Sequence, residues 1–267
     1  MKTLSIAALQ MASLPLEKSR LDYYLSIAKS KKARVVVLGE YVANLFFKEL
    51  EKTPKNFIID QSLKQSENFE NLAKIYNIYI IAPLVIEKKG ELFKSIAVFS
   101  PTKKEFYLQQ IFLPYAHWNE RKFFANPETI EVAPKCITID GFKIAIMSGF
   151  EAHFDAFWQT KADIAIVPSV GTFESKARWR ELLRMRAFTH NKYVLRVNRI
   201  GEYSEPKGHS WRFYGDSFCV DPFGDIESEL GDEEEMFIFE ASKKLVAEAR
   251  KLWKFESLAL GHTFKQS

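Results

Sequence analysis

Apolar residues in this chain gather into short β-like runs separated by segments of helical spacing, and the two alternate along its length. "LSIAALQ" (4–10) predicts a buried strand. "RVVVLGE" (34–40) is a continuous β-branched run, as in a central strand covered on both faces. Between them, residues 17–33 place Leu21, Leu25 and Ile27/Ala28 on one side of a helix. A second helix is expected over 65–77 and a strand over 78–87. Runs at 94–101 and 105–113, joined by "TKK", predict a hairpin.

The second half repeats the alternation. Strand 142–147 leads to a short helix near "AHFDAFWQT", and strand 162–169 leads to a helix over 175–191. A strand at 192–199 and a strand pair within 213–226, turning at Pro-Phe-Gly, come next. A last strand at 234–241 precedes a helix at 242–253. No Gly/Ser/Pro-rich linker or repeat divides the chain. Two β-layers covered by outer helices, in one α/β domain, is the economical packing.

Composition narrows the classes. The chain has 267 residues, enough for a sizeable core, and a formal charge of +4, small for that length. Lys176, Arg180 and Arg184 form a basic stripe with no aromatic platform beside it. We therefore read it as a solvated face or subunit contact and expect no nucleic-acid partner. Cys136 and Cys219 sit in apolar β-like runs and are expected to be small core residues. The five histidines show no metal-ligand spacing, so no metal or other cofactor is expected. No run is long enough to span a membrane, and the apolar start of the chain reaches Gln10 too soon for a signal peptide; a soluble, cytoplasmic protein is the expectation.

Three places could carry chemistry. Glu40 ends the most buried-looking strand, at the edge where open α/β sheets place their sites. It is either a desolvated general base or a strand-end carboxylate in water. Gln109 and Gln110 lie among apolar neighbours in "FYLQQIFLP". "IAIMSGFEAHF" (144–154) runs as a strand into a sharp turn, the setting in which α/β enzymes place a nucleophile, yet the turn holds Gly149. Ser148 has no adjacent base and reads as a structural hydroxyl.

Taken together, these stretches resemble the nitrilase, or carbon–nitrogen hydrolase, superfamily over almost the whole chain. "RVVVLGEYV" is similar to its strand-Pro-Glu motif, with Gly39 where proline is usual, and "KIAIMSGFEAHF" to its Ile-Cys-Tyr-Asp elbow. "RMRAFTHNKYVLRVNRIG" and "GDSFCVDPFGDI" resemble its Arg-Ala-x-x-Asn and Gly-x-Ser-x-x-x-Asp-Pro-x-Gly segments. The resemblance implies a single-domain, four-layer α-β-β-α sandwich over 1–255 and a tail at 256–267 that docks on a partner in a homodimer or larger homo-oligomer.

Carried over residue by residue, the general base falls on Glu40. The intermediate-stabilising lysine falls on Gln110, or on Gln109 with a slip of one, and the nucleophilic cysteine falls on Gly149. A second glutamate falls at His117, or at Glu120 if the loop length differs. Phe150 and Glu151 complete the expected small-molecule pocket. A Glu-Gln-Gly set has no thiolate to form a thioester and no ammonium beside the oxyanion. This implies a catalytically degenerate member binding a small amide, amine or carboxylate, in a pocket relaxed into neutrality where Gln110 bonds Glu40. Two other readings stay open: an active amidohydrolase using another nucleophile or a Glu40-activated water, and a structural or regulatory subunit.

Overall fold

The computed structural model describes residues 2–128, 134–172, 175–205 and 208–255. The expected tail, 256–267, lies outside them. The first half runs β1 (Thr3–Gln10), α1 (Ser19–Ser30), β2 (Val35–Leu38), α2 (Phe47–Leu50), α3 (Lys55–Tyr76), β3 (Tyr79–Lys88), β4 (Glu91–Phe99) and β5 (Lys104–Leu108). A small connector follows: β6 (Pro114–Tyr115), β7 (Trp118–Asn119) and α4 (Glu120–Phe123). The second half runs β8 (Cys136–Ile139), β9 (Phe142–Ile146), two single 3₁₀ turns, β10 (Ile164–Ser169), α5 (Lys176–His190) and β11 (Tyr193–Asn198). It then continues through β12 (Ile200–Ser204), β13 (Ser210–Tyr214), β14 (Phe218–Val220), β15 (Ile226–Glu229), β16 (Glu235–Ser242) and α6 (Lys243–Trp253).

Two six-stranded sheets result, ordered β16-β1-β2-β3-β4-β5 and β15-β14-β11-β10-β9-β8. Successive side chains of a strand point to opposite faces, and the packing follows that period. Ile6, Ala8, Val35 and Val37 meet Ile144, Ile146, Ile164 and Ile166 between the sheets. Their neighbours Ala7, Leu9, Val36 and Leu38 turn outward onto Leu21 and Leu25 of α1 and Phe69 and Leu72 of α3. On the far sheet, Ala165, Val167 and Val194 face Leu183 and Ala187 of α5. The layers are therefore α-β-β-α, as the resemblance implies.

Three elements differ from the sequence expectation. Helix α3 starts at Lys55, ten residues early, because its buried face is polar there. Of the three buried side chains in 55–64, Ile58, Gln61 and Ser62, two are polar, and Ser62 accepts from Asn44 Nδ2 (2.9 Å), so the apolar stripe that hydropathy looks for is interrupted. Strand β5 ends at Leu108 instead of 113. Between β11 and the expected strand pair, where the sequence reading placed no strand, β12 and most of β13 form a hairpin, paired from Ile200↔Tyr214 to Ser204↔Ser210.

Candidate functional site

The sandwich opens where β2, β9 and β10 end and β4 begins, into a cavity of about 780 Å³. Glu40 follows β2. Its backbone N–H donates to Ser169 O (3.1 Å), linking the two sheets at the cavity edge. Gly39 is required there: a Cβ would lie 2.9 Å from the Asn198 carbonyl carbon and 3.0 Å from Arg199 N. Tyr41 adopts a left-handed backbone at φ 55°, a conformation that costs a non-glycine residue energy. The buried Arg199 holds it there by donating to Tyr41 O at 2.7 Å.

The partner of Glu40 is Lys94 of β4, a residue the sequence reading did not single out. Its ammonium lies 3.5 Å from Glu40 and 2.7 Å from Glu120, and all three side chains are buried. Glu120 also accepts from Trp118 Nε1 (3.2 Å) and from the Tyr41 hydroxyl, while its second oxygen has no protein partner. The Lys94 ammonium sits 4.6 Å from the centre of the Tyr41 ring, a cation–π contact. Asn126 clamps the backbone, accepting from Lys94 N (2.9 Å) and donating to Lys94 O (2.7 Å). Burial pushes the Glu40 carboxyl up to about 7, against the opposing pull of Lys94. Burial alone would lower the Lys94 pKa, but the two carboxylates more than offset it and hold the proton. The site is charged, and the expectation of a pocket relaxed into neutrality does not describe it.

A sequence signal for Lys94 existed. In "ELFKSIAVF" the inward register is Leu92, Lys94, Ile96, Val98, so a lysine occupies a position that the pleat turns toward the core.

The opposite wall is the elbow. Gly149 is buried and lines the same cavity, and Ser169 packs against it. A Cβ at Gly149 would fall 2.8 Å from Ser169 Cβ and 3.1 Å from its Cα, so no side chain fits without a shift of β10. The Ser169 hydroxyl is turned toward Asn198 Oδ1 (3.2 Å) and the buried Arg196 Nε (3.1 Å). Ser148 is fully buried, with no hydrogen bond to its hydroxyl. Cys136 lies in β8 and Cys219 in β14, and neither lines the cavity.

The remaining expected residues divide. His117, Glu120 and Phe150 line the cavity with Glu40 and Gly149. His117 stacks on Tyr115 at 5.8 Å. Arg178 stands on the wall, exposed and without an ion pair among the described residues. Gln110 and Glu151 instead line a smaller neighbouring cavity. Gln110 makes no hydrogen bond to Glu40 there. Its backbone N–H donates to Glu151 Oε1 (2.6 Å), and the other carboxylate oxygen accepts from Ser148 N (2.8 Å). Glu151 is thus a brace between the end of β5 and the elbow. Its pKa is raised by burial, partly offset by those backbone donors.

The geometry matches known proteins. Over 96% of this chain and 94% of the other, the fold superposes on a carbon-nitrogen hydrolase from Helicobacter pylori G27, with TM-score 0.84 and 23% identity. A CN-hydrolase superfamily protein from Xanthomonas campestris, carrying an arsenic adduct in its active site, matches over the full length of both chains with TM-score 0.78 and 18% identity. An amidase from Nesterenkonia sp. matches over 94% of this chain and 96% of its own, with TM-score 0.74 and 18% identity. At such identities the likeness speaks for the fold. The sequence profile of carbon-nitrogen hydrolases matches residues 5–251, and the chain belongs to that family, within the nitrilase superfamily.

Proposed function

We propose that this protein is a non-covalent member of its family that binds a small amide, amine or carboxylate in the cavity between Glu40 and Gly149. The observation that carries this reading is the pairing of an intact charged wall with an empty one. Glu40, Lys94 and Glu120 are buried together, while the elbow presents only a glycine against which Ser169 is packed. A thioester cannot form where no thiol stands. An amide suits the charged wall best. Its carbonyl oxygen accepts from the Lys94 ammonium and its N–H groups donate to Glu40, so both halves of one functional group are met. Tyr115, His117 and Phe150 supply the aromatic sides of the binding pocket. The exposed Met185, Leu252 and Trp253, on the two helices of the second half, support assembly into a homodimer or larger homo-oligomer.

Lys94 also favours a second reading, direct hydrolysis. A water in the space beside Gly149 gives its proton to Glu40 as its oxygen bonds the amide carbon, Lys94 stabilises the oxyanion, and Glu40 passes that proton to the nitrogen as the C–N bond breaks, releasing ammonia and the carboxylic acid. One experiment separates the two. Titrate acetamide, propionamide and butyramide by calorimetry and follow ammonia release in the same samples. Binding that Lys94→Met abolishes, with no ammonia, is expected. Ammonia release abolished by Glu40→Gln would establish hydrolysis, and absence of binding would sink both.

A further inference from the structure

The smaller cavity, about 310 Å³, is built from parts that the first site does not use. Phe106 and Phe157 give it apolar walls, and Gln110 stands at the end of β5. The Gln110 side-chain carbonyl is buried with no hydrogen-bond partner among the described residues. An orphaned buried acceptor costs about 1–3 kcal/mol, a deficit that a ligand donor removes. Lys88 and Lys135 lie on the rim, and neither is ion-paired among the described residues. The one carboxylate among the described lining residues, Glu151, is already held by the backbone N–H groups of Gln110, Ile111 and Ser148. Among the described residues the uncompensated charge at the rim is therefore positive, the interior is apolar, and one acceptor waits inside.

We propose that this cavity is a second ligand site, distinct from the one between Glu40 and Gly149, for a small monocarboxylate with an apolar body and a hydroxyl or N–H donor. Its volume accommodates about ten water-sized groups, the scale of a single substituted ring. The carboxylate faces Lys88 and Lys135, the ring lies between Phe106 and Phe157, and the donor reaches the Gln110 carbonyl oxygen.

The test uses 4-hydroxybenzoate, benzoate and 4-hydroxybenzyl alcohol as probes, titrated into the full chain by calorimetry. One hydrogen bond is worth about fivefold in affinity, so 4-hydroxybenzoate should bind about fivefold more tightly than benzoate, and the uncharged alcohol more weakly than the acid. Gln110→Leu should erase the advantage of the hydroxyl group, and Lys135→Glu should weaken both acids about fivefold. Lys135 is exposed, so its variant carries the test even if Gln110→Leu fails to fold. Arg178→Ala, on the wall of the larger cavity, should leave these affinities unchanged. No binding at 10 mM overturns the proposal. So does binding that Arg178→Ala weakens and the Gln110 and Lys135 variants do not, because the probe then sits in the larger cavity. Either failure leaves the amide titration standing, since that depends on Lys94 and Glu40.

Discussion

The two sheets contribute opposite kinds of wall to one cavity. The first supplies Glu40 and Lys94 and, through the connector after it, Glu120. These form a charged cluster in which nearly every polar atom is partnered. The second supplies Gly149 and Ser169, a close backbone-to-side-chain contact in which the Ser169 hydroxyl is turned to Asn198 and Arg196. The contrast separates two functions of a site. Holding a polar ligand needs buried charge that is paired, and attacking it needs a nucleophile that reaches it. In the binding reading proposed above, this site meets the first requirement and not the second.

The largest effect we expect is from Lys94→Met. It leaves Glu40 and Glu120 buried together without a cation, and breaking a buried pair from one side costs about 3–5 kcal/mol. Thermal unfolding should show a drop on the order of 10 °C. A drop of a degree or two would mean that water reaches the cluster and the contrast between the walls is weaker than drawn.

Next comes the elbow. Gly149→Cys forces the new Cβ against Ser169 and should cost about 1–3 kcal/mol from overpacking. Combining it with Ser169→Gly should cost less than the two single changes summed, since the closest contact, to the Ser169 Cβ, is then gone, and a double-mutant cycle measures that difference. Strict additivity would show that β10 shifts freely and that the elbow is not closed to a side chain.

A smaller effect concerns pH. The Glu40 carboxyl is raised to about 7 from an ordinary value of 4.5, so between those values the folded state binds the proton more tightly than the unfolded chain. This group's contribution to stability is full below about pH 4.5 and is lost as pH rises through 7. Denaturant unfolding from pH 4.5 to 8 should show that decline, and Glu40→Gln should flatten it. Glu151, raised in the same direction, leaves part of the slope in the variant. An unchanged slope would place the titration elsewhere.

Smallest of all, Arg178→Ala should leave the melting temperature unchanged, because the side chain is exposed and has no ion-pair partner among the described residues. A measurable loss would show that the larger cavity draws stability from its rim as well as from Glu40, Lys94 and Glu120.

Much of this was legible in the sequence. The alternation of β-branched runs with helical spacing fixes the layers, because a pleat turns every second residue to the other face and "VVVL" has no polar face to show water. Glu40 and Gly149 were found because each ends a strand, and strand ends meet at one edge of an α/β sandwich. The first ten residues of α3 escaped because two of their three buried side chains, Gln61 and Ser62, are polar, with Ser62 accepting from Asn44. Lys94 escaped because a lysine within a strand reads as solvent-facing until its register against the other sheet is known.

The sequence by itself determined which strands are buried on both faces, that a glutamate, Glu40, follows the most buried of them, and that no thiol occupies the elbow. Those follow from residue type and spacing, which are local. Tertiary structure alone decided that Lys94 joins Glu40, that Gln110 turns to a second cavity, and that Ser169 closes the space above Gly149. Each of these depends on how two sheets far apart in sequence approach one another, and a buried ammonium takes whatever position brings it within reach of the carboxylates that hold its charge.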